Sequence, residues 1–229
     1  NYKFKVMETS QLIIMGAIVL AALVISQVYK RFVSQKALDP AQADNEAQKL
    51  SDNDLDVLVN ADFGVCIQHL DDKKVLGANY IYHLPDMKEH MKNAGKDVLK
   101  SALTLGTVKY TTVQVPMPLL LTEDGLHLFE LDVEEKVKRH LMFDNSRMEN
   151  ATLTPFANDR VPQELGDSAK FYKLQVPSEE GVREITLCTV LYPTQQKYIA
   201  YNKYRRLLAY AVGKKFFKAL EEKYPNLKA

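Results

Sequence analysis

The sequence predicts an α+β domain carried behind a single N-terminal transmembrane helix. The domain is expected to hold a mainly antiparallel sheet, one internal helix and a long basic amphipathic C-terminal helix. Three observations predict it: one uncharged apolar run, several short alternating segments separated by turn residues, and two segments with apolar residues at helical spacing.

The apolar run covers residues 10–29. No charge occurs between Glu8 and Lys30, which leaves 21 uncharged residues. At the helical rise these span about 31 Å, close to the hydrocarbon thickness of a bilayer. Leu12, Ile13, Ile14, Leu20 and Leu23 supply the lipid-facing bulk, and Gly16 lets a neighbouring helix come close. Tyr29, Lys30 and Arg31 form an interfacial collar, because amphipathic rings and cations prefer headgroup level. A signal peptide fits less well, since Lys30-Arg31-Phe32 is a poor cleavage site. A buried core helix would carry polar residues on one face. Flanking cations on both sides give a slight lean toward a domain on the cytosolic or matrix side. The chain opens on Asn1 rather than methionine, which fits a removed organellar presequence and further upstream residues equally. The expected location is a mitochondrial inner membrane, with a bacterial inner membrane as the alternative.

Residues 37–54 are polar and read as a linker, with one short helix from Pro40 capped by Asp39. The α+β domain is expected over 55–229. Alternation and β-branched content predict strands at 55–59, 63–70 and 75–84, then at 108–121 and 126–133, with 134–142 open between strand and helix. Between them, Pro85-Asp86 opens a helix whose Met87, Met91, Ala94, Val98, Ala102 and Leu105 recur at helical spacing. Residues 143–166 read as a long loop, followed by strands at 169–176 and 182–192. After Pro193, Thr194 caps a helix running to about Lys223, where Pro225 stops it.

Charge is segregated along the chain. Residues 1–36 hold five Lys/Arg against one Asp/Glu, a net of +4. Residues 37–193 hold 16 against 26, a net of −10, and 194–229 hold nine against two, a net of +7. Basic ends around an acidic body favour anionic neighbours such as lipid headgroups or acidic proteins. Lys203, Arg205, Arg206, Lys214, Lys215 and Lys218 lie on the last helix, opposite a stripe of Tyr201, Tyr204, Leu208, Ala211, Val212, Phe216 and Leu220. Three readings fit this helix: core packing with the cations solvated or paired to the acidic body, docking on lipid or a partner, and RNA binding. The first is the commonest use of an amphipathic helix, and the absence of glycine-aromatic RNA motifs speaks against nucleic acid.

Motifs for site chemistry fail on spacing. Asp52-Asn53-Asp54-Leu55-Asp56 begins like a calcium loop, but Val57 and Phe63 stand where glycine and glutamate are required. Cys66 and His69, read on a strand, point to opposite faces, and no His-x-x-x-His pair exists among the five histidines. Phosphate loops and nucleophile elbows are absent. Cys66 and Cys188, both expected in strands, read as buried thiols rather than a disulfide framework. Asn150-Ala151-Thr152 is a glycosylation acceptor that matters only in a secretory lumen.

These observations point to a non-catalytic accessory, scaffold or assembly subunit of a membrane complex, with no cofactor or small-molecule ligand called for. Its partners would be the bilayer and other subunits of that complex. The alternative is a membrane-tethered enzyme whose site carries no recognisable motif.

Overall fold

The computed structural model describes residues 17–21, 23–25, 27–28, 38–83, 115–157, 161–179 and 181–229. Over these the chain is an α+β domain with two antiparallel sheets and several helices.

The chain enters the domain at Leu38, which is buried, and forms α1 (Pro40–Ala47). Asp39 accepts from the Ala41 N–H and Pro40 sits in the first turn, where a missing N–H costs nothing. Helix α2 (Asp52–Ile67) starts at a capping box: Ser51 and Asp54 each bond the other's backbone N–H. Residues 55–59 and 63–70, expected as strands, therefore belong to this one helix and the turn that ends it. Leu55, Leu58, Phe63 and Cys66 recur at helical spacing and are buried. The β-branched Val57, Val59, Val65 and Ile67 that suggested strands are tolerated because packing outweighs their weak propensity.

A meander follows: β1 (Gly77–Tyr80), β2 (Pro118–Leu121), β3 (Gly125–Leu131) and β4 (Val137–Asp144), hydrogen-bonded in that order. The open segment 134–142 thus resolves mostly into a strand. Asp144 caps the short α3 (Asn145–Glu149), and β5 (Thr152–Pro155) pairs with β6 (Phe171–Ser178), which pairs with β7 (Gly181–Cys188). Residues 143–166 are accordingly not one loop. Its polar residues include a cap and an edge strand too short to show alternation. The helix expected at 86–105, and the strand expected from 108 up to residue 114, lie outside the described residues.

Residues paired across strands share a face. One face of the four-stranded sheet carries Leu119, Leu121, Leu126, Leu128 and Phe143, which pack with β6 and β7 and the end of the C-terminal helix α5 (Lys203–Lys223). The opposite face carries Ala78, Tyr80, Leu120 and Phe129, which join α1, α2 and the first half of α5. A bridge between Ile81 and Leu187, with the Tyr82 N–H donated to the Thr186 carbonyl (2.8 Å), links the sheets.

The C-terminal element, expected as one helix, is two: α4 (Gln195–Ala200) and α5 (Lys203–Lys223). Tyr201 is extended and Asn202 recaps the chain by accepting from the Arg205 N–H. Helix α5 lies against backbone. A Cβ on Gly213 would sit 2.2 Å from the Thr189 carbonyl oxygen, and one on Gly77 would sit 2.9 Å from the Phe216 Cα. The Leu191 N–H donates to the Ala209 carbonyl at 2.9 Å, tying the chain after β7 to the helix.

Among the described residues no helix is long and apolar enough to cross a membrane. The described residues between 17 and 28 are helical, and the rest of the expected span 10–29 lies outside the described set.

Candidate functional site

Among the described residues, three places hold chemistry or surface that the core does not consume.

The first is the helical stretch near the N-terminus. Ile18, Val19, Leu20, Leu23, Val24, Ile25 and Val28 are each 56–68% exposed. At 100° per residue these positions fall on all sides of a helix, so the domain covers no face of it. Of the residues expected to anchor the chain, Leu20 and Leu23 are described, and both are exposed. Leu12, Ile13, Ile14, Gly16, Tyr29, Lys30 and Arg31 lie outside the described residues.

The second is the cationic side of α5, and here the residues grouped by sequence separate. Lys214 bonds Asp44 at 2.5 Å, and Tyr210 donates to the same carboxylate at 2.8 Å. Lys215 bonds Asp52 at 2.7 Å, Lys203 lies 3.6 Å from Glu46, and Arg205 bonds Asp62 at 2.5 Å. Lys218 lies 3.8 Å from Glu222 on its own helix. The acidic partners come from α1 and α2, so much of the basic tail answers the acidic body of the same chain. Arg206 departs furthest from the sequence reading as a surface contact. It is 1% exposed, donates to the carbonyls of Tyr201 and Ile199 at 3.2 Å each, and lies over the Tyr198 ring. Buried donors of this kind staple the bend between α4 and α5.

The third is a polar cluster that no sequence spacing announced, on the face shared by Leu120 and Phe129. His127 on β3 is 1% exposed. Its Nε2 lies 3.1 Å from the Asp124 carboxylate and 3.0 Å from the Thr122 hydroxyl, and its Nδ1 lies 2.8 Å from His140 Nε2 on β4. A carboxylate only accepts, so His127 Nε2 is the donor to Asp124. The Thr122 hydroxyl also bonds Asp124, and Lys73 bonds the other carboxylate oxygen at 2.7 Å. His140 stacks on Phe129 with ring centroids 4.3 Å apart and planes 7° from parallel. Lys73, then Thr122 and His127, hold the Asp124 carboxyl well below the usual carboxylate range, against its partial burial. Burial, followed by the neighbouring His127, His69 and Lys73, lowers the pKa of His140. The signal was recoverable in part. His127 and His140 face one another only once the β3–β4 hairpin register is known, and that register is set by the turn at 132–136, where the Asp132 N–H donates to the Lys136 carbonyl at 2.9 Å.

Beside this cluster a groove of about 250 Å³ runs between α2 and β1. Leu55, Val59, Val75 and Val212 line it, with Lys73 and Lys215 among its polar residues. Both lysines are held by carboxylates, as described. Among the described residues no three His, Cys, Asp or Glu side chains are placed to share a metal ion. Cys66 and Cys188 are free and buried, and burial pushes both thiols up to about 12. Cys66 sits on α2 rather than a strand. Neither thiol has the thiolate character that nucleophilic chemistry needs. Asn150 is exposed at the C-terminus of α3, its amide donated to the Ser146 carbonyl at 2.8 Å. No protein-family model and no curated protein sequence matches the chain.

Proposed function

We propose that this chain is a non-catalytic accessory or assembly subunit of a membrane protein complex, held by its N-terminal helix and docking through its α+β domain. The observation that carries the reading is the helical stretch at residues 17–21, 23–25 and 27–28, whose large apolar side chains are exposed on every side. Seven such side chains cannot stay in water. At about 25 cal/mol per Å² of apolar surface, covering them is worth many kcal/mol to whatever does so. Lipid is the cover that fits the uncharged length of 21 residues, and Gly16, Ala17 and Ala21 suit an adjoining helix. An organellar inner membrane is the setting we favour, with a bacterial inner membrane as the alternative.

The polar cluster agrees with a structural use. Both ring nitrogens of His127 are engaged and the ring is closed off from solvent, which leaves no position for a reacting atom. A membrane-tethered enzyme is the second reading. It rests on the groove between α2 and β1 with Lys73 at its edge.

The test is extraction of the tagged full-length chain from native membranes in mild detergent, followed by sizing and mass spectrometry. Resistance to alkaline carbonate and stoichiometric recovery in a large assembly are expected. A chain that washes off with carbonate, or that runs alone at the size of its own micelle, overturns the subunit reading and directs attention to the groove.

A further inference from the structure

We infer that the outer edge of β4 is a docking strand for an extended acidic segment of a partner protein, an assignment that rests on the subunit reading above and specifies where contact is made. β4 is the last strand of its sheet, and among the described residues only β3 pairs with it. The hydrogen-bond phase identifies which groups face outward. The Thr122 N–H donates to the Gly125 carbonyl at 2.9 Å, so Gly125 turns its backbone toward β2. Direction alternates along a strand, so Leu126, Leu128 and Glu130 turn toward β4, where they meet Phe143, Leu141 and Arg139. His140 and Met142, the residues between, present their backbone N–H and C=O to the outside. Lys138 is the extra residue of the bulge, where the register passes from Glu130↔Arg139 to Leu131↔Val137.

Proteins blunt such edges with brevity, proline, bulges or charge. β4 is eight residues long with no proline, and its bulge lies near its start, leaving the run from His140 to Phe143 regular. Met142 is 42% exposed and lies in the middle of that run. The side chains supply the chemistry of the partner. In a stretch that is acidic overall, β4 carries Lys138, Arg139 and His140 with no carboxylate before Asp144. Lys138 is exposed and has no ion-pair partner among the described residues. Arg139 is exposed and reaches only Glu130, at 3.8 Å. An added strand would gain the two outward pairs of backbone groups, place carboxylates opposite Lys138 and Arg139, and cover Met142 with an apolar residue.

The probe is a fluorescein-labelled octapeptide of alternating valine and threonine with two glutamates at one end. Its binding to the full-length chain in detergent is read by anisotropy, and amide hydrogen exchange is read at His140 and Met142. In the free chain those two amides are expected to exchange fast, while Arg139, Leu141 and Phe143 are slowed by β3. Adding the peptide should slow His140 and Met142. Replacing its glutamates with lysines, or introducing K138E with R139E, should weaken binding about tenfold, because like charges then face one another. Met142→Pro, which removes one outward donor, should do the same if the chain still melts normally, and the charge variant decides if it does not. Outward amides already slow in the free chain, or unchanged by the peptide, overturn the assignment. Protection that grows with chain concentration in the absence of peptide replaces the acidic partner with a second copy. The two failures are separable: a large native assembly without β4 protection leaves the subunit reading standing, and β4 protection in a solitary chain removes it.

Discussion

At the scale of single residues, His140 makes the fold sensitive to acid. Its neighbours come from every element around it: His127 on β3, Asp124 in the β2–β3 turn, and Lys73 and His69 after α2. The net effect lowers its pKa below the ordinary 6.5, so the folded chain resists a proton that the unfolded chain accepts. Stability is therefore full above about pH 6.5 and falls as pH drops through the window beneath it. The Asp124 carboxyl, also lowered, adds a second loss in the same direction, beginning further down near its ordinary 3.8. The urea midpoint should decline between pH 7.5 and pH 5.5. His140→Phe, which keeps a ring on Phe129 but cannot take the proton, should flatten that decline. An equal slope in the variant would show that His140 is not the group responsible.

Elements were legible in proportion to how far local signals decided them. Helix α5 was readable because its apolar stripe keeps helical spacing through Leu208, Val212, Phe216 and Leu220, all buried. Its break at Tyr201 was not, since the bend depends on Arg206 reaching back to two carbonyls, a contact that no propensity records. Helix α2 was misread although Ser51 and Asp54 spelled a capping box, because valines and alternation dominated the window and only packing settles such conflicts. The polar cluster was illegible for a further reason: β3 and β4 residues 13 apart meet only through hairpin register. The same two helices offer a paired test of packing against propensity. Gly213→Ala drives a methyl into the Thr189 carbonyl and should cost about 1–3 kcal/mol, the usual range for overpacking. Gly64→Ala on α2 meets nothing within 4 Å and should stabilise by about 0.5–1 kcal/mol, the helix propensity difference. Thermal melts of the two variants check both signs. A Gly213→Ala chain that melts at or above the parent temperature would show that α5 does not lie against the 189–191 backbone as described.

For the whole molecule, the charge segregation visible in the sequence turns out to be partly internal. Four cations of α5 meet carboxylates of α1 and α2, so the acidic stretch and the basic tail close on each other. Each exposed pair contributes little by itself. Their joint effect is to set which faces of three helices meet, while the apolar contacts beneath hold them. Leu38 and Ala43, within the stretch expected as a linker, are buried in that contact. The boundary between tether and domain should consequently lie before Leu38. A chain beginning at Leu38 is expected to leave the membrane fraction and to unfold at the same urea midpoint as the full chain in detergent. A chain beginning at Asp52 loses α1, and with it the Leu38 side chain and the Asp44 contacts to Tyr210 and Lys214. Its stability should fall by about 2–3 kcal/mol, the worth of one buried leucine with smaller additions. Equal midpoints for the two truncated chains would return residues 38–51 to the tether, and the ion pairs of α5 would then be ornaments of a surface rather than part of the fold.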